Sequence, residues 1–322
     1  MQAPRAPVIL VIGGGGYLGQ FLLEALLPDA RDGQWQLHFT QRNSELAVPG
    51  ATAHAMNLCD EGQIAALLEA LRPAVIINTA AMTSLADCEK NPDEASAVNA
   101  PEHLFAAAAA AAPAPPLLVQ LSTDQVYDGA HAPYAEGDTA APVNHYGATK
   151  LHCEQRMAAA GVNGVVLRSS NILGPPAPFS GAGKFLQWLD GALAAAAQGG
   201  DNVTLWDDEY RNFVWVYDIC RIVRALALRR TTGDGAGAGG VEVFNMGGPE
   251  RLSRVNIGSI VCRVRGLDEA AAISPVLRYA DGGDGKNAQD LSMKSEKLYA
   301  LGLELGLEPF TRIEEGLAKC WA

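Results

Sequence analysis

At 322 residues the chain exceeds a minimal module and has room for one large α/β unit or two domains sharing a cleft. Lys plus Arg number 24 against 36 Asp plus Glu, and the net charge of −12 repels phosphate backbones and anionic lipid, which argues against nucleic-acid and membrane-surface functions. Hydrophobic residues at 48% can build a large core, yet charged residues, Gly or Pro break every apolar run short of the roughly 20 residues that a membrane span needs. Cys59, Cys88, Cys153, Cys220, Cys262 and Cys320 lie far apart with no CxxC, so reduced thiols are expected. Residues 1–7 lack a charged-then-apolar signal pattern, and a cytoplasmic address is the default expectation.

Apolar runs of strand length at 8–12, 35–40, 52–57, 74–80 and 117–123 alternate with helix-period segments. Strand then helix, repeated, builds a parallel sheet. Leu18, Phe21, Leu22, Ala25 and Leu26 form one helical stripe, which Pro28 is expected to end. A second helix is expected over 61–71, with Pro73 stopping it ahead of a buried strand. Residues 93–112 are helical in character, with Pro101 kinking the helix or opening a second piece at its first position. The alanines at 106–112 suit a helix lying close on a sheet, since alanine has the best helix propensity. Downstream, a helix at 144–160, a strand at 165–169, a Pro- and Gly-rich loop at 174–183, a helix at 185–197 and strands at 203–206, 213–216 and 241–245 are expected. Gly-rich stretches at 231–240 and 281–286 read as surface loops.

The first strand runs straight into Gly13-Gly14-Gly15-Gly16-Tyr17-Leu18-Gly19, with Gly13, Gly16 and Gly19 spaced as GxxGxxG ahead of an amphipathic helix. In that context glycines let the backbone turn tightly and approach a pyrophosphate, whose charge sits on the helix N-terminus. The fold class expected is therefore α/β, a Rossmann doubly wound parallel sheet with a smaller C-terminal substrate-binding lobe. The Rossmann part takes 1–168 with returning elements near 211–246, and the smaller lobe takes 169–210 and 247–322. The second strand ends Thr40-Gln41-Arg42-Asn43, with no acid before Glu45 to take a ribose 2′-hydroxyl. Arg42 can instead pair with a 2′-phosphate, which favours NADP(H) over NAD(H). Asn57-Leu58 ends the third strand and Thr79-Ala80-Ala81 the fourth, where small residues let a cofactor lie across the sheet edge.

Ser122-Thr123-Asp124-Gln125-Val126-Tyr127 stands at a strand end and Tyr146-Gly147-Ala148-Thr149-Lys150 at a helix start. Tyr146 and Lys150 are i and i+4, so they share a helix face, and an ammonium beside a phenol eases proton transfer to a developing alkoxide. The histidines at 38, 54, 103, 131, 145 and 152 form no ligand spacing with the cysteines, and the loop 281–285 lacks the further oxygen ligands of a calcium site, so no metal is expected.

Together these blocks resemble the extended short-chain dehydrogenase/reductases, and within them the dTDP-4-dehydrorhamnose reductase family. The resemblance rests on the glycine loop, Asn78-Thr79-Ala80-Ala81-Met82-Thr83, Ala97-Val98-Asn99, Ser122 through Gly129, and Pro142 through Lys150. It implies NADPH-dependent reduction of a 4-keto deoxy-sugar nucleotide, with Thr123, Tyr146 and Lys150 catalytic. It also implies that Gly13, Gly16, Tyr17, Leu18, Gly19, Arg42, Asn57, Leu58, Ala80, Ala81, Asn99, Tyr146 and Lys150 meet the cofactor. Asn99 matches an asparagine that holds the active-site helix, and Thr83 falls where the family touches sugar. The sequence departs from the family's pattern at Asn171, where an aromatic is usual. Arg211-Asn212-Phe213-Val214 looks more like the Arg-x-Phe-Val segment of nucleotide-sugar epimerases and dehydratases, so Thr83, Asn171 and Arg211 are the candidate substrate residues. A dehydratase would want an acidic pair after Thr123, and Asp124-Gln125 supplies only its first member.

The same family holds a non-catalytic branch, the regulatory β subunit of methionine adenosyltransferase, which is similar at 274–277, 286–290, 307–310 and 313–317. This alternative implies docking on a methionine adenosyltransferase catalytic subunit, with Phe310 in the interface.

Overall fold

The computed structural model describes residues 6–43, 45–112, 114–232, 239–282 and 285–321. Parts of the Gly-rich stretches at 231–240 and 281–286 therefore lie outside the described residues. The first half comprises β1 (Val8–Ile12), α1 (Tyr17–Arg31), β2 (Gln36–Gln41), β3 (Thr52–Ala55), α2 (Glu61–Leu71), β4 (Val75–Asn78), α3 (Leu85–Lys90), α4 (Pro92–Asn99), α5 (Glu102–Ala109), β5 (Leu117–Thr123) and α6 (His145–Ala159). Then come β6 (Gly164–Ser169), β7 (Ile172–Leu173), α7 (Phe185–Ala196), β8 (Val203–Trp206), β9 (Tyr210–Arg211), β10 (Val214–Trp215), α8 (Val216–Thr231), β11 (Val241–Met246), β12 (Leu252–Ser253), α9 (Arg254–Arg265), α10 (Glu269–Ala272), β13 (Ile273–Val276), α11 (Glu296–Glu304) and α12 (Ile313–Cys320).

Seven strands form one parallel sheet in the order β11-β6-β5-β4-β1-β2-β3. The order reverses between β1 and β4, and the crevice beyond their carboxyl ends is where such sheets take ligands. Alternation along β1 serves two cores. Ile9 and Val11 join Phe21, Leu22 and Leu26 of α1 and Ile219 and Val223 of α8. Val8, Leu10 and Ile12 join Ile64 and Leu68 of α2, Leu104 and Phe105 of α5, and Cys153 and Met157 of α6. A third core gathers Leu186, Leu189 and Leu193 of α7 with Leu205, Phe213, Trp215, Ile257, Val261, Ile273 and Leu317.

The expected parallel sheet and its first five strands are present, with ends shifted by a few residues. Pro28 does not end α1, which continues to Arg31. A proline in the last turn forfeits a single N–H, and Asp29 holds that turn to α8 by accepting from Arg224 Nε and Nη2 at 2.6 Å each. The strand expected at 213–216 shrinks to Val214–Trp215, and Val216 opens the sixteen-residue α8. Its buried Val216, Ile219, Ile222, Val223 and Leu226 lie on one face, but the apolar, strand-like Phe213-Val214-Trp215 that precedes it and an N-cap with no side-chain bond hide its start. Pro101 breaks the chain between α4 and α5, standing as the N-cap rather than inside the helix.

All six cysteines are free thiols. Among the described residues no group of three or more His, Cys, Asp or Glu could hold a metal ion, and no helix is long and apolar enough to cross a membrane.

Candidate active site

The loop after β1 is held by Gly13 N–H donating to Thr40 Oγ1 at 3.1 Å and Gly16 N–H donating to Gly13 O at 2.9 Å. A Cβ on Gly19 would sit 2.3 Å from Gly13 O, so only glycine lets α1 rise this close behind the loop. Gly16 caps α1 without a side-chain bond, and the first turn carries no acid, which leaves its N–H groups open to an anion. A cavity of about 330 Å³ lies against this loop and is lined by Gly13, Gly16, Arg42, Asn57, Leu58, Ala80 and Ala81 among others.

Sequence reasoning thus places seven of its cofactor candidates around one cavity, and the others stand differently. The Tyr17 hydroxyl donates to Pro175 O at 2.8 Å, and Tyr17 and Leu18 pack against the core shared by α1 and α8. Asn99 is buried and spends its amide on protein. Its Oδ1 accepts from Met82 N at 2.8 Å, and its Nδ2 donates to Met82 O and to Thr149 Oγ1, each at 3.0 Å. Both Nδ2 hydrogens are thus used within the protein, and the bond to Thr149 ties Asn99 to α6. Because Met82 lines the cavity and Thr149 lies between Tyr146 and Lys150, this one amide joins the cavity wall to α6.

Thr123 ends β5, and its hydroxyl donates to Asp124 Oδ1 at 3.3 Å and accepts from Gln125 N at 3.2 Å. Asn144 caps α6, accepting from Gly147 N at 2.8 Å and donating to Gln125 Oε1 at 2.9 Å, which ties the helix start to the turn after Thr123. A Cβ on Gly147 would come 2.1 Å from Gln125 O, so the glycine after Tyr146 allows that approach. Burial pushes the Tyr146 phenol well above its ordinary range, the Thr123 hydroxyl pulls it back, and Asp124 raises it further. Lys150 is 1% exposed, one turn on from Tyr146. Its charge opposes the burial that pushes the Cys153 thiol up to about 11.

On the far side of Thr123, buried Asp124 accepts from Ser170 Oγ at 3.0 Å and lies 3.9 Å from Arg211 Nε. Burial raises the Asp124 carboxyl above its ordinary value, and Arg211 and the hydroxyls of Ser170 and Thr123 offset part of this. Arg211 is itself buried beside Glu209 at 3.6 Å, and Arg254 and Arg278 approach the same carboxylate at 3.5 and 2.9 Å. Asn171 is half-buried, its carbonyl accepting from Val214 N at 3.0 Å, while Thr83 is exposed on the loop before α3. Phe310 is half-buried with its ring 4.8 Å from that of Tyr299.

Three groups escaped sequence reasoning. Gln20 of α1 is buried and clamps the loop 174–183, donating to Ser180 Oγ at 2.9 Å and accepting from Ser180 N at 2.9 Å and Phe179 N at 3.2 Å. Glu154, one turn beyond Lys150, forms a buried pair with Arg168 of β6. Its i+4 spacing from Lys150 was the available signal. Glu94 of α4 lines the cavity opposite Arg42, at 3.7 Å, and nothing local to the second strand points to it.

A probable low-salt glycan biosynthesis reductase, Agl14, of Haloferax volcanii is 29% identical over 274 residues, covering 84% of this chain and 84% of that protein. A dTDP-4-dehydrorhamnose reductase of Mycobacterium tuberculosis is 29% identical over 284 residues, covering 86% and 84%. Methionine adenosyltransferase 2 subunit beta of Danio rerio is 24% identical over 259 residues, covering 79% and 75%. Among solved structures, a dTDP-4-dehydrorhamnose reductase of Bacillus anthracis in complex with NADP superposes with a TM-score of 0.76 at 18% identity, covering 98% of this chain and 99% of that one. The Bordetella bronchiseptica enzyme WbmG, in complex with NAD and UDP, gives a TM-score of 0.77 at 20% identity, covering 97% and 93%, and at these identities both attest the fold. Residues 7–310 match the family model described as the RmlD substrate binding domain, and the chain belongs to that family.

Proposed function

We propose that the chain is an NADPH-dependent reductase of a 4-keto deoxy-sugar nucleotide, resembling dTDP-4-dehydrorhamnose reductase. The observation that carries this reading is the grouping of Thr123, Tyr146 and Lys150 on two elements that the Asn144 cap draws together, joined through Asn99 to the glycine-loop cavity. The cavity's residues fit a dinucleotide, because α1 offers an N-terminus without a side-chain cap and Gly19 lets the helix rise against the loop without a Cβ meeting Gly13 O.

NADPH, when bound, supplies the hydride to the substrate carbonyl carbon. Tyr146 then donates its proton to the developing alkoxide, and burial keeps the phenol protonated until that charge appears. Lys150 stabilises the phenolate left behind, and Thr123 hydrogen-bonds the substrate oxygen. Arg211, Arg254 and Arg278, gathered around Glu209, are the guanidinium groups that would meet a diphosphate, with Thr83 and Asn171 as sugar contacts. Incubating the protein with NADPH and a panel of 4-keto sugar nucleotides tests this by loss of absorbance at the nicotinamide band.

A second reading, a cofactor-binding regulatory subunit of methionine adenosyltransferase, is favoured by the Danio rerio relative. It predicts no turnover with any keto sugar and recovery of a methionine adenosyltransferase from native lysate.

A further inference from the structure

We propose that Glu94 sets the cofactor preference of this site by competing with a 2′-phosphate for Arg42. The inference rests on reading the glycine-loop cavity as an NADP(H) site. Arg42 follows β2 with no acid beside it, which on sequence alone favours the phosphorylated cofactor. The fold supplies an acid from elsewhere. Glu94 stands in the first turn of α4, one turn before Val98, and both line the cavity together with Arg42, Asn57 and Leu58. Arg42 Nη1 lies 3.7 Å from Glu94 Oε1, with the two side chains 54% and 52% exposed, and among the described residues Arg42 forms no other ion pair.

A phosphate dianion arriving at Arg42 must displace this carboxylate and then sit near it as a like charge. A ribose 2′-hydroxyl imposes neither cost and can donate to Glu94. The carboxylate therefore penalises NADPH and leaves NADH untouched or favoured, so the site separates the two cofactors less sharply than Arg42 alone would. Half exposure keeps the effect modest, since solvent and salt screen such pairs.

The test is fluorescence titration of wild type, Glu94→Gln, Arg42→Ala and the double variant with NADPH and with NADH, at low and at high salt. Glu94→Gln is expected to tighten NADPH about two- to fivefold at low salt, the range open to an exposed ion pair. NADH affinity should stay level or weaken. The gain should shrink when Arg42 is absent and when salt is raised. An unchanged or lowered preference for NADPH in Glu94→Gln, or a gain as large in the Arg42→Ala background, overturns the inference while leaving the cavity's assignment intact. Failure of wild type to bind either cofactor overturns the cavity's assignment, and this inference with it.

Discussion

Removing the charge of Glu154 tests how β5 and α6, which carry Thr123 and Lys150, are locked together. Glu154 Oε1 accepts from Ser122 Oγ at 2.5 Å and from Arg168 Nε at 3.1 Å, and Oε2 accepts from Arg168 Nε and Nη2 at 3.1 and 2.7 Å. Ser122 precedes Thr123 on β5, and Glu154 follows Lys150 on α6, so the pair fixes one against the other. The guanidinium and carboxylate side chains are 8% and 6% exposed. Glu154→Gln leaves Arg168 with the Tyr127 hydroxyl at 2.8 Å but with no counter-charge. An uncompensated buried charge costs about 3 to 5 kcal/mol, far above the 0 to 1 kcal/mol typical of a surface pair. Urea unfolding should show that loss as a lowered midpoint with an unchanged slope. Glu154→Leu combined with Arg168→Met removes both charges and should recover most of the stability. A loss below about 1 kcal/mol in Glu154→Gln, or simple additivity in the double variant, would refute the buried-pair argument.

Tyr146→Phe keeps the ring but deletes the proton, so turnover of the true substrate should fall by about 10² to 10⁴ while NADPH titration is unaffected; an unchanged rate would place the acid elsewhere. Gly147→Ala drives a methyl into Gln125 O and should cost about 1 to 3 kcal/mol with a loss of turnover, measured by denaturation and assay. Asp124→Asn should reveal a titration. Burial raises the folded carboxyl above its unfolded value of 3.8, so its contribution to wild-type stability is full below that pH and is lost as pH rises through the folded value. The variant lacks this loss, and its melting temperature relative to wild type should climb as pH rises above 3.8; a flat difference would show that burial does not raise the Asp124 carboxyl.

Features that announce themselves within a few residues were legible in the sequence. β1 with its glycine loop, and Tyr146 with Lys150, each carry their pattern at fixed local spacing, and the structure sets the loop at the cavity and the tyrosine and lysine one turn apart on α6. α8 was not legible, because the apolar residues at 213–216 continue unbroken from a two-residue strand into a helix, and period cannot separate the two over so short a run. Pro28 misled for the opposite reason, since the local penalty is outweighed by the Asp29–Arg224 contact across 195 positions of sequence. Glu94 and Arg168 belong to the same class: each acts on a partner that only the fold brings near.

The sheet's last strand, β11, is drawn from residues that follow the whole of α7 to α8, yet it pairs along the full length of β6. Expression of residues 1–232 alone would therefore leave β6 with an open row of N–H and C=O groups, a template for association with other chains. It would also strip Asn245 from the Tyr127 hydroxyl, a 2.8 Å bond next to Arg168. Dissection of this protein into independently expressed halves is thus expected to yield aggregates, and circular permutation or split reporters should be cut after β13, where all seven strands of the sheet stay in one piece.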